Sequence, residues 1–202
     1  FTLVTPQEPA QARAKRARYD WPTRTLARLA IGFHGPAYSD EQIDKAALDL
    51  LAEVAFSETS PLYQRLVIEE QKCQSLSANF PDRRDPHLLT FSSLIKKDED
   101  LAYVESAIFA ELERLKTELV PEAKLADIKS NLKYSFASNL DTSDGVAGSL
   151  VFYINLAGDP GTLNKLFGLY DKVTPADIQA VAKKYFQKTN STVATLQGGK
   201  SQ

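Results

Sequence analysis

The stretch from Ser39 to Gln74 constrains the fold more than any other. Ser39 and Gln42 stand at capping-box spacing, and Ile43, Ala46, Ala47, Leu50, Leu51, Val54 and Ala55 then recur at helical intervals. An apolar stripe of that width must be buried along its length, so the helix predicted over 40–57 has to lie on a broad apolar surface. Ser60 reads as a second cap. Its hydroxyl can accept a bond from an unpaired backbone N–H, and Pro61 has no N–H to leave unpaired. Leu62, Leu66 and Ile68–Glu69 carry a short helix over 61–70, and the pattern turns to alternation at Lys72.

Strands are expected on both sides of this segment. Leu26–Phe33 puts Leu29, Ile31 and Phe33 on one face and Arg28 on the other, and Gly35-Pro36 ends it. Lys72–Phe80 and Leu88–Ile95 are joined by the polar turn Pro81–Pro86, which implies an antiparallel hairpin. Thr192–Leu196 is a last strand. Helices are expected over 99–119, with Leu101, Val104, Ile108, Leu112, Leu115 and Leu119 in register, and from Pro121, with Leu125, Ile128, Leu132 and Phe136 inside. Asp144–Ala157 continues helically through Val146, Leu150 and Ile154. Asp159-Pro160 opens a short helix to Tyr170, and Thr174-Pro175 opens the last, burying Ile178, Val181, Ala182 and Tyr185. Pro61, Pro121, Pro160 and Pro175 all fall where a helix begins. The order of elements gives an α+β fold, one antiparallel sheet with helices packed on one face. Residues 1–22, broken by Pro6, Pro9 and Pro22, read as a connector in which Ala17–Trp21 has the pattern of an edge strand. Residues 23–202 read as a single domain.

Composition excludes some functions. The 202 residues are 43% apolar and 25% charged with a formal net charge of −2, which suits a globular domain and gives no reason to expect a nucleic-acid or anionic-membrane partner. Lys and Arg cluster at Arg13–Arg18, read as a solvated linker rather than a binding patch. No apolar run reaches the roughly 18–20 residues that cross a bilayer. The chain has no methionine and starts at Phe1, so it is expected to be a processed form or an excised domain, and the lack of a visible signal peptide carries no weight. Cys73 is the only cysteine, which rules out an intrachain disulfide and a cysteine-based metal cluster; it reads as a small buried hydrophobe.

No catalytic constellation stands out. There is no G-x-x-x-x-G-K-[ST], G-x-G-x-x-G, H-E-x-x-H or H-x-x-E-H. His34 and His87 are the only histidines; a joint metal site would need their two strand ends to meet and a third ligand to join them. Gly145–Gly148 reads as a flexible helix entry rather than an anion site. Ser60 lacks a G-x-S-x-G setting, and capping accounts for it. Glu69, Glu70, Glu111, Glu113 and Asp127 have Lys or Arg nearby on predicted helices, which helix-surface ion pairing explains. On these residues the expectation is no catalytic residue and no metal ligand in this chain, with the substrate-binding residues unknown.

Three stretches together resemble the non-catalytic, C-terminal-type domain of the pitrilysin/insulinase family of zinc peptidases, relatives of the mitochondrial processing peptidase. They are IGFHGPAYSDEQIDKAALDLLAEVAF, SPLYQRLVIEEQ and VTPADIQAVAKKYFQKTNSTVATL, and the likeness covers roughly residues 20–197. The resemblance implies paired homologous α+β domains that close into a chamber around unfolded peptides. Zinc would sit on a sister domain through an inverted H-x-x-E-H and a downstream Glu, with no cofactor in this chain. The parent would be a zinc metalloendopeptidase, and this chain, inactive alone, would form chamber wall and interdomain packing. The alternative is a proteolytically inactive homologue acting as scaffold or binding subunit.

In many members a late domain supplies an Arg and, seven residues on, a Tyr that touch substrate, after an S-x-L-x-x-x-L pattern. Laid on Ser60, Leu62 and Leu66, that pattern puts Val67 and Gln74 at those positions, so neither role carries over. The implied partners are a homologous zinc-bearing domain, in the same polypeptide or a partner chain, and unfolded peptides. Many bacterial members work outside the cytoplasm, which favours a periplasmic or other extracytoplasmic location. A broad, partly apolar face should meet the sister domain, with Phe33–Tyr38 and the Asn79–Pro86 turn as contributors.

Overall fold

The computed structural model describes residues 11–199. Five strands form one sheet: β1 (Lys15–Trp21), β2 (Ala27–His34), β3 (Cys73–Asn79), β4 (Leu88–Ile95) and β5 (Ser191–Gly198). Between them run α1 (Ile43–Phe56), α2 (Pro61–Tyr63), α3 (Leu101–Thr117), α4 (Glu122–Asn139), α5 (Ser143–Ala157), α6 (Thr162–Lys172) and α7 (Pro175–Tyr185). The strand order is β1-β5-β2-β4-β3.

The α+β expectation holds, with one amendment to the sheet. Three of its pairings are antiparallel, but β1 pairs with β5 in parallel, so the sheet is mixed. The cause is that β5 inserts between β1 and β2, and β1 comes from the stretch read as a connector. Arg16 in β1 is tied to the helical layer, its Nη1 donating to Glu105 Oε2 on α3 at 3.0 Å. The turn from β1 to β2 passes so close to the end of β5 that a Cβ on Gly198 would lie 2.4 Å from the Thr25 amide nitrogen. Only glycine fits that crossing.

Strand parity sets the layers. Ala27, Leu29, Ile31 and Phe33 of β2, and Leu89, Phe91 and Ile95 of β4, point to the helical side and are buried. There they meet the α1 stripe, in which Ala46, Ala47, Leu50, Leu51, Val54 and Ala55 are buried as the periodicity predicts. Phe91 is the hub, with ring centroids 4.5 Å from Phe56, 5.3 Å from Phe80 and 5.3 Å from Phe186.

The caps behave as expected at several points. Tyr63 N donates to Ser60 Oγ at 3.2 Å, and Pro61 takes the first helical position. Thr174 and Asp177 form a reciprocal capping box with Pro175 just inside. At Ser39 only half of the expected capping box forms: Ser39 Oγ accepts from Gln42 N at 3.1 Å, but α1 begins later than expected, at Ile43, with Gln42 at its N-cap and no side-chain cap bond. The helix over 61–70, however, is α-helical only to Tyr63; Gln64–Glu69 is π-wound and ends at Gln71 with φ 51°. That widened turn buries Leu66 and lets the chain reverse directly into β3.

Other expectations fail at the periphery. In α4 Leu125 is buried, but Ile128, Leu132 and Phe136 are only half-buried. Leu119 lies beyond the end of α3 and is exposed, and Tyr185 is half-buried because its hydroxyl reaches Asp44. In α5 the periodic Val146, Leu150 and Ile154 are exposed. These helices lie at the rim of the core, where a stripe read as inward has no layer above it.

Candidate functional site

With the helices on one side, the other face of the sheet carries the alternate residues of every strand. Register places them in rows. Ala17 lies beside Ala194, Ala194 beside Ala30, Ala30 beside Ser92 and Ser92 beside Ser77, so a line of three alanines and two serines crosses all five strands. At about 4.8 Å per strand this shallow trough is roughly 19 Å long, the span of about six extended residues. One bank is high: Tyr19, Leu196, Arg28 and Leu94 stand in the adjacent row. At the β1 edge two aromatics project to solvent, Tyr19 at 61% and Trp21 at 51% exposure. The other bank, Lys15, Thr192, Gly32, Thr90 and Asn79, is low and polar except for the glycine. Ser77 and Ser92 hydroxyls satisfy each other at 2.9 Å.

The face is long enough for an extended chain of about six residues. Among the described residues no three His, Cys, Asp or Glu side chains are grouped as a metal ion requires. The strand ends bearing His34 and His87 do meet, Gly35 N donating to His87 O at 2.8 Å. A third ligand does not join them, so the residues here do not fit a zinc ion. Cys73 is buried on the helical side, and burial pushes its thiol above the usual range. Ser60 is buried and engaged as a cap. Thr142 Oγ1 takes the Gly145 amide at 3.1 Å, so the Gly145–Gly148 entry is a capped helix start. Of the helix acids, Glu111 pairs with Arg114 at 2.6 Å, Glu113 with Lys116 at 2.7 Å and Glu70 with Arg65 at 3.9 Å, whereas Glu69 and Asp127 make no ion pair among the described residues.

The two positions aligned with the substrate-contacting Arg and Tyr lie on different elements. Val67 is half-buried in the π-helical turn, and Gln74 is exposed beside the bulge of β3. Of the Arg13–Arg18 run, Lys15 to Arg18 belong to β1, not to a linker, and their side chains are solvated. Phe33 cannot contribute to a surface, because its parity on β2 points it into the core. The loops around Tyr38 and Arg83 do join, Tyr38 N donating to Arg83 O at 2.8 Å.

Behind that junction lies a buried polar cluster that the sequence pattern did not single out. Lys45 Nζ donates to Phe80 O at 2.8 Å, and it also bonds Asp49 on its own helix. Asp82 Oδ1 is 3.0 Å away, close enough for ion pairing but off the direction of a hydrogen bond. Tyr170 on α6 donates to Asp49 Oδ2 at 2.8 Å. Burial pushes the Asp49 carboxyl up to about 6 against the pull of Lys45. Burial also disfavours the Lys45 ammonium, but the two carboxylates outweigh that and hold it charged. The signal available in the sequence was Lys45 and Asp49 at i, i+4 beside an otherwise apolar stripe. Asp82 and Tyr170 reach them only through tertiary structure.

The sequence pattern of the Peptidase M16 inactive domain matches residues 3–132, more than half of the chain. The chain belongs to this family. The zinc protease PqqE of Helicobacter pylori is 28% identical over 198 residues, 94% of this chain and 42% of that sequence. A solved protease structure from Helicobacter pylori superposes with a TM-score of 0.87 at 28% identity, covering 98% of this chain and 48% of the other. The periplasmic protease PqqL from Escherichia coli shares the fold at 15% identity, with a TM-score of 0.68 over 96% of this chain and 21% of that one. The chain thus spans less than half the length of each of these three relatives, and it is a non-catalytic, M16-type part of a zinc-protease-like protein. The resemblance read from the three sequence stretches is upheld, and no helix among the described residues is long and apolar enough to cross a membrane.

Proposed function

We propose that this domain forms part of the wall of a peptide-binding chamber, with hydrolysis carried out by zinc on a sister domain of the same protein. The observation that carries this reading is the open sheet face: a flat trough of small side chains, edged by aromatics, on a domain whose described residues group no metal-binding side chains. Such a face accommodates an extended backbone of many sequences, since alanine and serine impose little side-chain selection. A zinc-activated water supplied from the facing domain would do the chemistry. An extracytoplasmic location fits this reading, as one relative of the fold is a periplasmic protease.

The test is zinc content and peptide hydrolysis on the intact polypeptide, repeated after replacing His34 and His87 with alanine. About one zinc per polypeptide and hydrolysis that survive both replacements are expected. Zinc lost with either histidine would mean that this domain holds the metal. An intact protein that is zinc-free and inert would establish the scaffold reading instead.

A further inference from the structure

We propose that α5 is an interface helix whose exposed apolar residues are covered, in the intact polypeptide, by a second homologous domain of the same chain. The inference rests on the chamber reading for the existence of that sister domain, and adds which surface meets it. The helix is well defined at both ends: Thr142 caps its start, and Gly158, at φ 77°, closes it in the left-handed conformation. Yet none of its residues is buried. Val151 is 68% exposed and Phe152 47%, Val146, Leu150 and Ile154 are exposed to about 40%, and Tyr134 of α4 stands at 76%. From Gly145 to Gly158 there is no charged residue. A surface helix of a lone domain normally sets a charged face to water, and an uncharged apolar one marks a contact.

Gly148 points the same way. A Cβ there would meet nothing within 4 Å. Glycine inside a helix costs about 1 kcal/mol relative to alanine, and nothing within this domain requires it. The close approach of another backbone does. The occupant follows from length and charge. The two Helicobacter pylori relatives are more than twice as long as the segment they match, which leaves room for one further domain of similar size. A charge-free, aliphatic and aromatic patch suits a permanent partner rather than a transient one.

The experiment is thiol labelling of the intact polypeptide carrying Val151→Cys, compared with Ala180→Cys on the exposed side of α7, each rate taken relative to the same variant unfolded in urea. The native Cys73 is buried and gives little background. Neither substitution disturbs a packed side chain, so both variants are expected to fold. The expected result is that position 151 reacts about tenfold more slowly than position 180, as a site opened only by local separation would. Equal rates overturn the proposal. Protection at 151 that disappears on dilution, with a dimer's mass by light scattering, overturns it too, because the occupant is then a second copy. Gly148→Ala gives an independent sign: helix propensity alone would raise the unfolding midpoint, whereas a close interdomain contact lowers it. Zinc and hydrolysis are measured on the same samples. A zinc-free, inert protein still protected at 151 would sink the chamber reading and leave the interface standing.

Discussion

Tyr170 donates its hydroxyl to Asp49 across 2.8 Å, joining α6 to α1 over a separation of 121 residues. Asp49 also holds Lys45, so one carboxylate locks two helices to the loop that carries Phe80 and Asp82. Its pKa is raised from 3.8 to about 6 because burial disfavours the anion. Between those values the folded chain keeps a proton that the unfolded chain has released. This group's stabilisation is therefore complete below about 3.8 and lost as pH rises through about 6. Relative to Asp49→Asn, the wild type should lose about 1.4 kcal/mol between pH 5 and pH 8. Urea unfolding at the two pH values measures it, and parallel profiles would show that Asp49 stays ionised throughout.

Phe91 gathers rings from α1, the β3–β4 loop and the end of α7 around one strand position. Phe91→Ala should cost about 3–5 kcal/mol, since the cavity lies between a rigid sheet and three separate elements and cannot collapse from one side. Phe91→Leu keeps most of the volume and should cost under about 1.5 kcal/mol. Denaturant midpoints decide it: similar losses for the two variants would mean that the surrounding rings repack freely.

What was legible in the sequence is what local periodicity and caps determine. The α1 stripe, the Ser60 and Thr174 caps and the β3–β4 hairpin all follow from residues a few positions apart, and the structure places them there. The parallel pairing of β1 with β5 was not legible, because its two strands lie at opposite ends of the chain and neither shows its partner. The trough was hidden for a similar reason. Ala17, Ala30, Ser77, Ser92 and Ala194 look unremarkable one at a time, and only register makes them a row. Nor does periodicity say whether a stripe has a layer above it, which is why α5 reads like a core helix and is exposed.

The π-helical turn ends at Gln71, whose φ of 51° is the left-handed conformation that favours glycine. Relief of about 1–2 kcal/mol of backbone strain exceeds the roughly 0.5–1 kcal/mol that glycine's extra freedom costs. Gln71→Gly should therefore stabilise the domain by about 0.5–1 kcal/mol, and the β-branched Gln71→Val should destabilise it. Thermal unfolding of the two variants should move in opposite directions. Movement in the same direction would indicate that the Gln71 side chain, not its backbone, matters at this turn.

Ala30 lies at the centre of the open face, flanked by Ala194 and Ser92 in the trough. Its side chain points away from the core, so Ala30→Trp should change stability by no more than about 0.5 kcal/mol. If the trough faces bound peptide, the indole fills it. In the intact polypeptide KM should then rise several-fold while kcat stays within about twofold, the mark of lost ground-state and transition-state binding in equal measure. Ala30→Ser should restore wild-type behaviour, because it reproduces the side chain of its neighbour Ser92. An unchanged KM in the Ala30→Trp enzyme, with stability also unchanged, would place the open face outside the substrate's path.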